Sequence, residues 1–493
     1  MTRQEKLNKI GELIPSKFEP TNTLNHMSYF IIPIPHKVYQ SNANKFFDGV
    51  EKSEWEILNK QDRVFQTNDI KKYIYDNMIP KFDEKNKKEF IFEKRNIVLS
   101  KKFKENSFTF QTHQIFINEV DLWIMDEFIS FFVVKVELPI DSEMNVTQIS
   151  SILNRNFRDF RSLNIENNEF SIKRDNGNFI DWLLGMTKMD NNSFLNIKKE
   201  DFENTELYPI YNSSYYSKMI TAIQIDTDTI KDNNDNEMAI EGSFEEELKF
   251  IEIDGTSTLD EMPYYLATTS DIYPDRLFEA SEAYIYSLMN EGGISLWKYW
   301  SGVAIEDSLA FFSLKSGGSG IVNSARNNIY FIYMLNLYIN YQLRYLEHTL
   351  IDKDFINIDN IYPKIMELQR LNNQFIGNEI AIKFQPNEIH QAISKALQTK
   401  EMFEEIENNI AKTYELTKDN TNIIITIFMG FATFIGAFLS KDKIISFYDK
   451  HTNTAITITI FVILFVIIGI VKRKSVMSFI NKIFNKISYL IPS

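Results

Sequence analysis

Polar and small side chains recur at helical spacing along an apolar run near the end of the sequence. A step of about 100° per residue places them on one arc of a helix. Its members are Asn422, Thr426, Met429, Gly430, Thr433, Gly436, Ala437 and Ser440, of which all but Met429 are small or polar. The opposite arc carries bulky apolar residues such as Ile427, Phe431 and Phe434. Amide and hydroxyl oxygens can replace the water around an ion, so the pattern favours the lining of a narrow water path. Close packing against another membrane helix is the alternative.

Acidic residues lie along the predicted helix that leads into this apolar run. The series is Glu401, Glu404, Glu405, Glu407, Glu415 and Asp419, and the predicted vestibule comprises Glu404, Glu405, Glu415 and Asp419. If several copies of the chain surround an axis, these carboxylates form acidic rings that draw cations toward a pore mouth. A solvated helix face fits the same residues, and both interpretations stay open.

Three arginines lie three residues apart on a helix that Asn145 is predicted to cap. Arg155, Arg158 and Arg161 could grip a phosphate group with their guanidinium forks, which would suit a small nucleotide ligand. An exposed arginine face, the commoner outcome of such spacing, is the alternative.

Signals for catalysis or a bound metal are weak in this sequence. The six histidines are scattered, at His26, His36, His113, His348, His390 and His451. The glycine-rich loop Ser316 to Gly320 lacks the Walker lysine and reads as a connector. We therefore predict a protein that is not an enzyme, with no certain cofactor and an unknown metal content.

The polar arc lies on the first of two apolar runs that could cross a membrane. Asn422 to Leu439 and Ala455 to Val471 carry no charged side chain, and one charge at mid-bilayer costs about 3 kcal/mol. Each run is roughly long enough to cross a hydrocarbon core of about 30 Å. The sequence predicts a first transmembrane helix over 422–439, an external loop over 440–454 and a second transmembrane helix over 455–471.

Basic residues predict the orientation of this hairpin. They are denser after the second run, at Lys472, Arg473 and Lys474, than in the loop, so both termini should be cytoplasmic and the protein a multi-pass protein of the inner membrane. Residues 472–493 read as an amphipathic tail on the inner membrane surface. Packing of that tail on the stalk is the alternative. Met1 to Pro20 lacks the apolar core of a signal peptide.

Composition excludes some classes of protein. A formal net charge of −14 argues against direct binding to nucleic acid, since phosphate neutralisation needs a concentrated basic face. The absence of cysteine excludes disulfides and thiolate metal sites.

The strand and helix signals in the rest of the sequence predict an α+β cytoplasmic domain followed by helices. Residues 1–260 form the α+β domain, 261–386 a helical domain and 387–421 a stalk helix that continues unbroken into the membrane. The strand signals are Tyr29 to Ile34, Phe90 to Ser100, Phe108 to Ile117, Phe131 to Leu138, Glu169 to Ile172, Ile220 to Ile225 and Leu248 to Ile253. Leu296 to Phe312, with Trp297 and Trp300, falls in the predicted helical domain.

This layout resembles the CorA-type magnesium transporter superfamily. Phe375 to Glu379, the helix after Pro386, and Thr426, Phe428 and Thr433 are similar to that family's stalk lead-in and first membrane helix. The resemblance implies a homo-oligomer, by family a pentamer, embedded in the lipid bilayer with a divalent cation as permeant or regulatory ion. The family's Gly-Met-Asn signature is absent, because the corresponding region reads Phe434 to Asp442. Selective magnesium uptake is therefore not implied.

A divergent CorA-like branch that occurs beside type III CRISPR systems is also similar. Leu296 to Ser308, with Trp297, Trp300 and Asp307, and the tyrosine-rich Asn328 to Tyr345 carry this resemblance. It implies an antiviral membrane effector controlled by a nucleotide second messenger. The leading hypothesis is thus a gated CorA-like channel or pore. The alternatives are a divalent metal cation (magnesium or cobalt) transporter and a membrane-tethered interaction protein without a pore.

Overall fold

The computed structural model describes the chain between residues 23 and 412, with gaps. The longest gaps are 80–95, 194–216, 240–257 and 270–281. Residues up to Ala411 form one unit of the chain, and residues from Lys412 onward form a second. Both predicted membrane runs, the external loop and the tail lie outside the described residues.

The described residues include long strands, which are rich in β-branched and aromatic residues and form the centre of the fold, and several short ones. They are β1 (Thr23–Pro35), β2 (Glu56–Ile57), β3 (Ile97–Lys102), β4 (Ser107–Phe110), β5 (His113–Met125), β6 (Ile129–Glu137), β7 (Leu163–Glu166), β8 (Glu169–Ile172), β9 (Lys188–Met189), β10 (Asn192–Ser193), β11 (Lys218–Ile225), β12 (Thr229–Lys231), β13 (Glu237–Ala239), β14 (Gly293–Trp297), β15 (Trp300–Ile305) and β16 (Ser308–Ser313). Such residues suit a pleated, largely buried surface.

Twelve of these strands form one mixed sheet. Its order is β14-β15-β16-β11-β1-β6-β5-β4-β8-β7, with β3 pairing β5 and β2 pairing β3. The pairs β11–β16 and β4–β8 are parallel, and the others in this sheet are antiparallel. Strands β9 with β10 and β12 with β13 form separate two-stranded ribbons.

Helices lie between the strands along the chain as far as β14, and more helices follow the last strand, β16. They are α1 (Ala43–Lys52), α2 (Lys72–Met78), α3 (Arg155–Arg158, after the π-helical turn Gln148–Asn154), α4 (Thr258–Thr268), α5 (Glu282–Gly292), α6 (Gly320–Ser324, Ala325–Ile329 and Tyr330–Ile351 in succession), α7 (Ile358–Leu371, extended by Asn372–Ile376), α8 (Phe384–Ala396) and α9 (residues 399–412). The parts of α6 form one helix, because the backbone stays right-handed helical at the junctions Ala325 and Tyr330. A short 3-10 turn, Lys315–Gly317, precedes α6.

Apolar side chains cover both faces of the sheet, since successive strand residues point to opposite sides. Tyr29 of β1 faces α6 and packs edge-on against Tyr330, with ring centroids 5.2 Å apart. Its neighbour Phe30 faces the other side and stacks on Phe157 of α3 at 5.0 Å. One core contains residues of α2, α6, α7, α8 and α9, and the other contains residues of α1, α3, α4 and α5. The sheet therefore lies between two layers of helices.

Several predicted elements are confirmed. Strands β1, β8 and β11 cover their predicted segments, and β6 covers its segment except for Leu138. The signal over Phe108 to Ile117 falls on two strands, β4 and β5. Asn145 Oδ1 accepts a hydrogen bond from the Gln148 backbone N–H at 2.9 Å, and Gln148 Oε1 accepts one from the Asn145 backbone N–H at 3.0 Å. This reciprocal pair caps the predicted helix. Leu248 to Ile253 lies outside the described residues.

The structure differs from the prediction over Leu296 to Phe312. This segment contributes to strands β14, β15 and β16, which join the same sheet as β1, so the sheet takes strands from both sides of the predicted boundary near residue 260. Trp297 and Trp300 stand three apart, as on a helix face, but Trp297 is 53% exposed while Trp300 is buried. Gly302 lies opposite Phe311, where an added Cβ would come within 2.5 Å of the phenyl ring.

The predicted unbroken stalk helix is also corrected. Helix α8 ends at Ala396 and α9 begins at Thr399, after two residues in a turn. Gln398 adopts a positive φ of 51°, a conformation that a continuing right-handed helix excludes. We call the turn Leu397–Gln398 the joint. The absence of proline and glycine between Asn387 and Gly430 therefore did not keep the helix continuous.

Candidate functional site

Every residue of the predicted pore lining, Asn422, Thr426, Met429, Gly430, Thr433, Gly436, Ala437 and Ser440, lies outside the described residues. Among the residues that are described, no helix combines the length and apolarity needed to cross a bilayer.

The predicted acidic vestibule is partly within the described chain. Glu404 and Glu405 are exposed on α9, and Glu404 lies 3.9 Å from the ammonium of Lys400. Glu415 and Asp419 lie outside the described residues. The two observed carboxylates thus occupy a solvated helix face, which leaves both interpretations of the series standing.

The three predicted ligand-binding arginines differ in their surroundings. Arg155 is exposed, and Arg161 lies outside the described residues. Arg158 donates a hydrogen bond from Nη1 to the carbonyl oxygen of Ala267 at 2.8 Å, and its Nη2 lies 3.4 Å from Asp307 Oδ2. A phosphate group would have to displace Asp307 to reach the guanidinium of Arg158.

Arg158 belongs to a polar group at the hairpin turn between β15 and β16. This group, which we call the turn cluster, consists of Arg158, Lys218, Glu306, Asp307 and Arg344. The ammonium of Lys218, whose side chain is only 3% exposed, pairs with Asp307 and donates to the Glu306 carbonyl oxygen at 3.3 Å. The side chain of Glu306 is 60% exposed and accepts from Arg344 Nη2 at 3.1 Å. Three cations thus meet two carboxylates in an otherwise acidic chain.

Polar contacts continue from the turn cluster to the joint. Arg344 Nε donates to Asn340 Oδ1 at 3.0 Å, and Asn340 Nδ2 donates to the carbonyl oxygen of Leu397, also at 3.0 Å. Asn340 is 2% exposed. The carbonyl of Leu397 needs such a partner because the turn at Gln398 removes it from the helical hydrogen-bond ladder.

A second polar group lies inside the core that faces α6. This core ion cluster consists of Glu119, Asp121 and Lys135, on neighbouring strands β5 and β6. Lys135 Nζ lies 2.7 Å from Asp121 Oδ2 and 3.3 Å from Glu119 Oε2. Tyr330 of α6 donates its hydroxyl to Asp121 Oδ2 at 2.8 Å.

Charge balance keeps Lys135 ionised despite its burial. Desolvation alone would lower the pKa of Lys135, but Asp121, Tyr29 and Glu119 together outweigh it and hold the pKa above its usual range. Burial likewise disfavours an ionised Glu119, yet Lys135 and the hydrogen bond from Ser100 keep the pKa of Glu119 below its usual value. The core ion cluster is therefore an internal clamp between the sheet and α6.

Among the described residues, His26 and Ser28 are placed like a possible catalytic pair. His26 Nε2 and Ser28 Oγ lie 2.8 Å apart, but Ser28 is fully buried and donates its hydroxyl to Asn154 Oδ1 at 2.8 Å. Desolvation and the charge of Arg326 lower the pKa of His26 to about 3. We interpret this pair as structural, because His26 is buried and neutral and the Ser28 hydroxyl already donates to Asn154.

No site for a metal emerges among the described residues. No group of at least three His, Asp or Glu side chains within them is placed to hold an ion. The glycine-rich loop predicted as a connector forms the link between β16 and α6. Gly318 has a positive φ of 63°, which explains one of its glycines by backbone conformation alone.

Sequence reasoning missed the turn cluster and its contact with the joint. Lys218 and Asp307 are 89 residues apart, and Asn340 and Leu397 are 57 apart. Asp307 was noted only as part of a resemblance, and Asn340 carried no signal. The parallel pairing of β11 with β16 brings the first two together.

Comparison with protein-family models found no match, and neither did comparison with curated proteins or with solved structures. The resemblance to the CorA superfamily therefore depends on the sequence features alone.

Proposed function

We propose that the protein is an oligomeric CorA-like membrane channel whose opening is controlled by a signal on its cytoplasmic domain. The observation that carries this proposal is the pair of charge-free runs, Asn422 to Leu439 and Ala455 to Val471, in a chain that is 24% charged overall. The polar arc on the first run supplies the oxygen atoms that a permeating ion requires.

The cytoplasmic unit offers a place for the signal to act. The turn cluster is partly open to solvent at Asp307 and Glu306, whose side chains are 33% and 60% exposed. Its cations attract anionic ligands, and its contacts lead through Arg344 and Asn340 to the chain that precedes the first apolar run. A nucleotide signal, as in an antiviral effector, fits this chemistry, because its phosphate could compete with Asp307 for Arg158.

Ion flux through the full chain in liposomes tests the proposal. We expect flux that depends on protein and that rises when a candidate nucleotide is added on the cytoplasmic side. Thr433→Leu should block conduction because it places a bulky apolar side chain on the polar arc, whereas Phe434→Leu, on the opposite arc, is the matched control and should conduct. Absence of flux under every condition would overturn the proposal.

The same assay distinguishes the alternatives. Uptake of magnesium or cobalt without any added nucleotide would indicate a constitutive divalent cation transporter. A protein that inserts into the bilayer, conducts nothing and retains its partners in the cell would be a tethered interaction protein.

A further inference from the structure

The joint at Leu397–Gln398 conflicts with the local preference of its own sequence. The segment from Phe384 to Lys412 has one proline, at Pro386 in the first turn of α8, and no glycine. Glutamine is a good helix former and rarely adopts positive φ. A continuous helix is therefore the arrangement that local preference favours, and the turn must be held by contacts with other parts of the fold.

Those contacts come from α6 and from the core. Asn340 donates to the Leu397 carbonyl oxygen that the turn releases, and Leu397 itself is 3% exposed. Beyond the joint, Ile406 and Ile410 of α9 are buried in the core on the α6 face of the sheet. The turned arrangement thus depends on one buried amide and on two apolar side chains.

A buried polar group next to the joint also destabilises the turned arrangement. Thr399, the first residue of α9, is 1% exposed, and its hydroxyl has no hydrogen-bond partner among the described residues. A buried hydroxyl without a partner destabilises the state that contains it. Together with the left-handed Gln398, this cost brings the turned and continuous arrangements closer in free energy.

We propose that the joint is a two-position hinge, turned or continuous, and that Asn340 and Arg344 form the latch that selects the turned position. Asn340 caps the Leu397 carbonyl, Arg344 orients Asn340, and Glu306 in the turn cluster holds Arg344. A change at the β15–β16 turn therefore alters the stability of the latch. The inference concerns the cytoplasmic unit and stands whether or not the chain conducts ions.

Spin-label distances in the full chain test the hinge. The protein has no cysteine, so labels can be attached to single introduced thiols without further changes. Glu388→Cys on α8 and Asn408→Cys on α9 are both at exposed positions and span the joint. A continuous helix would separate these two backbone positions by about 30 Å, and the turned arrangement brings them closer. Asp48→Cys with Glu388→Cys is the control pair, because neither position lies beyond the joint.

Substitutions at Gln398 should shift the balance between the turned and the continuous arrangement without changing the core. Gln398 is exposed. Gln398→Ala should raise the population with the longer distance, since alanine favours helix and disfavours positive φ. Gln398→Gly should keep or increase the shorter distance, since glycine tolerates positive φ and weakens a continuous helix. The control pair should be unchanged in both variants.

Substitutions on α6 test the latch itself. Asn340→Ala should shift the population in the same direction as Gln398→Ala. Asn336→Ala is its matched control, because Asn336 is buried on the same helix and contacts His390 of α8, ahead of the joint. If Gln398→Ala and Asn340→Ala leave the distances unchanged, or if Asn336→Ala shifts them equally, the hinge proposal is overturned. If Asn340→Ala does not fold, the two Gln398 variants decide alone.

Discussion

The core ion cluster and the turn cluster are built from the same kinds of side chain but differ in their access to water. Asp121 is fully buried and Lys135 is 5% exposed, with Tyr330 closing the group from α6. In the turn cluster, by contrast, Asp307 and Glu306 reach solvent while Lys218 stays buried. A buried ion pair is costly to break because it leaves one charge uncompensated, whereas an exposed pair contributes little.

This difference assigns different roles to the two clusters. The core ion cluster fixes α6 on the sheet and resists rearrangement. The turn cluster can exchange partners with solvent or a ligand, and its contacts lead to the joint. A signal of the kind proposed above should therefore use the turn cluster.

Lys135→Met should give the largest loss of stability. It leaves Asp121 buried without its partner, so we expect the free energy of unfolding to fall by about 3 to 5 kcal/mol. Chemical unfolding of the full chain, followed by tryptophan fluorescence, measures this effect. Adding Asp121→Asn should restore part of the loss. Lys102→Met, which removes an exposed pair with Glu56, is the control and should cost less than about 1 kcal/mol. Equal losses in Lys135→Met and Lys102→Met would contradict the difference between buried and exposed ion pairs on which the comparison of the two clusters depends.

Acid should destabilise the unit up to Ala411 through a residue outside both clusters. Desolvation lowers the pKa of His390, at the contact between α6 and α8, to about 4. Because the folded pKa lies below the unfolded value of about 6.5, the unfolded chain binds the proton first, and stability falls as pH drops from about 6.5 to about 4. The loss from this residue amounts to about 3 kcal/mol.

The variant His390→Gln keeps a hydrogen-bond acceptor for Asn336 but cannot titrate. Its unfolding free energy should therefore change less steeply than that of the parent chain over this pH range. His26, with a pKa near 3 in the folded protein, adds a similar dependence that both proteins share. An unchanged slope in His390→Gln would show that this histidine is not buried as described.

Asp307→Asn should have a smaller effect, confined to the turn cluster. It removes the carboxylate that compensates Lys218, so we expect a loss of about 2 kcal/mol. Glu306→Gln in the same turn is the matched comparison and should cost less than about 1 kcal/mol, since the Glu306 side chain is mostly exposed. A larger loss from Glu306→Gln than from Asp307→Asn would reverse the assignment of the buried partner within the turn.

Strands were predictable where the side chains alone specify them. Phe131 to Leu138 and Ile220 to Ile225 consist mostly of apolar and β-branched residues, and β6 and β11 form there because central strands are covered on both faces. Leu296 to Phe312 was misjudged because the spacing of its two tryptophans imitates a helix. Its strand pairing depends on Gly302, whose missing side chain makes room for Phe311.

The clusters and the joint were not predictable from local sequence. The core ion cluster requires the register that places Lys135 opposite Glu119, with a bulge between Ile117 and Glu119. The break at Gln398 has no local signal, because a distant amide on α6 stabilises it. The arginine spacing did identify Arg158, but its partner Asp307 comes from a different part of the chain.

Cysteine accessibility along the first apolar run tests the central claim most directly. Single cysteines introduced one at a time from Asn422 to Ser440, in the full chain in liposomes, would be exposed to a charged thiol reagent that does not enter lipid. We predict that cysteines at Thr426, Thr433 and Ala437 react and that those at Ile427, Phe431 and Phe434 do not. Reaction on the bulky arc, with protection of the polar arc, would contradict the account of a water path through this protein.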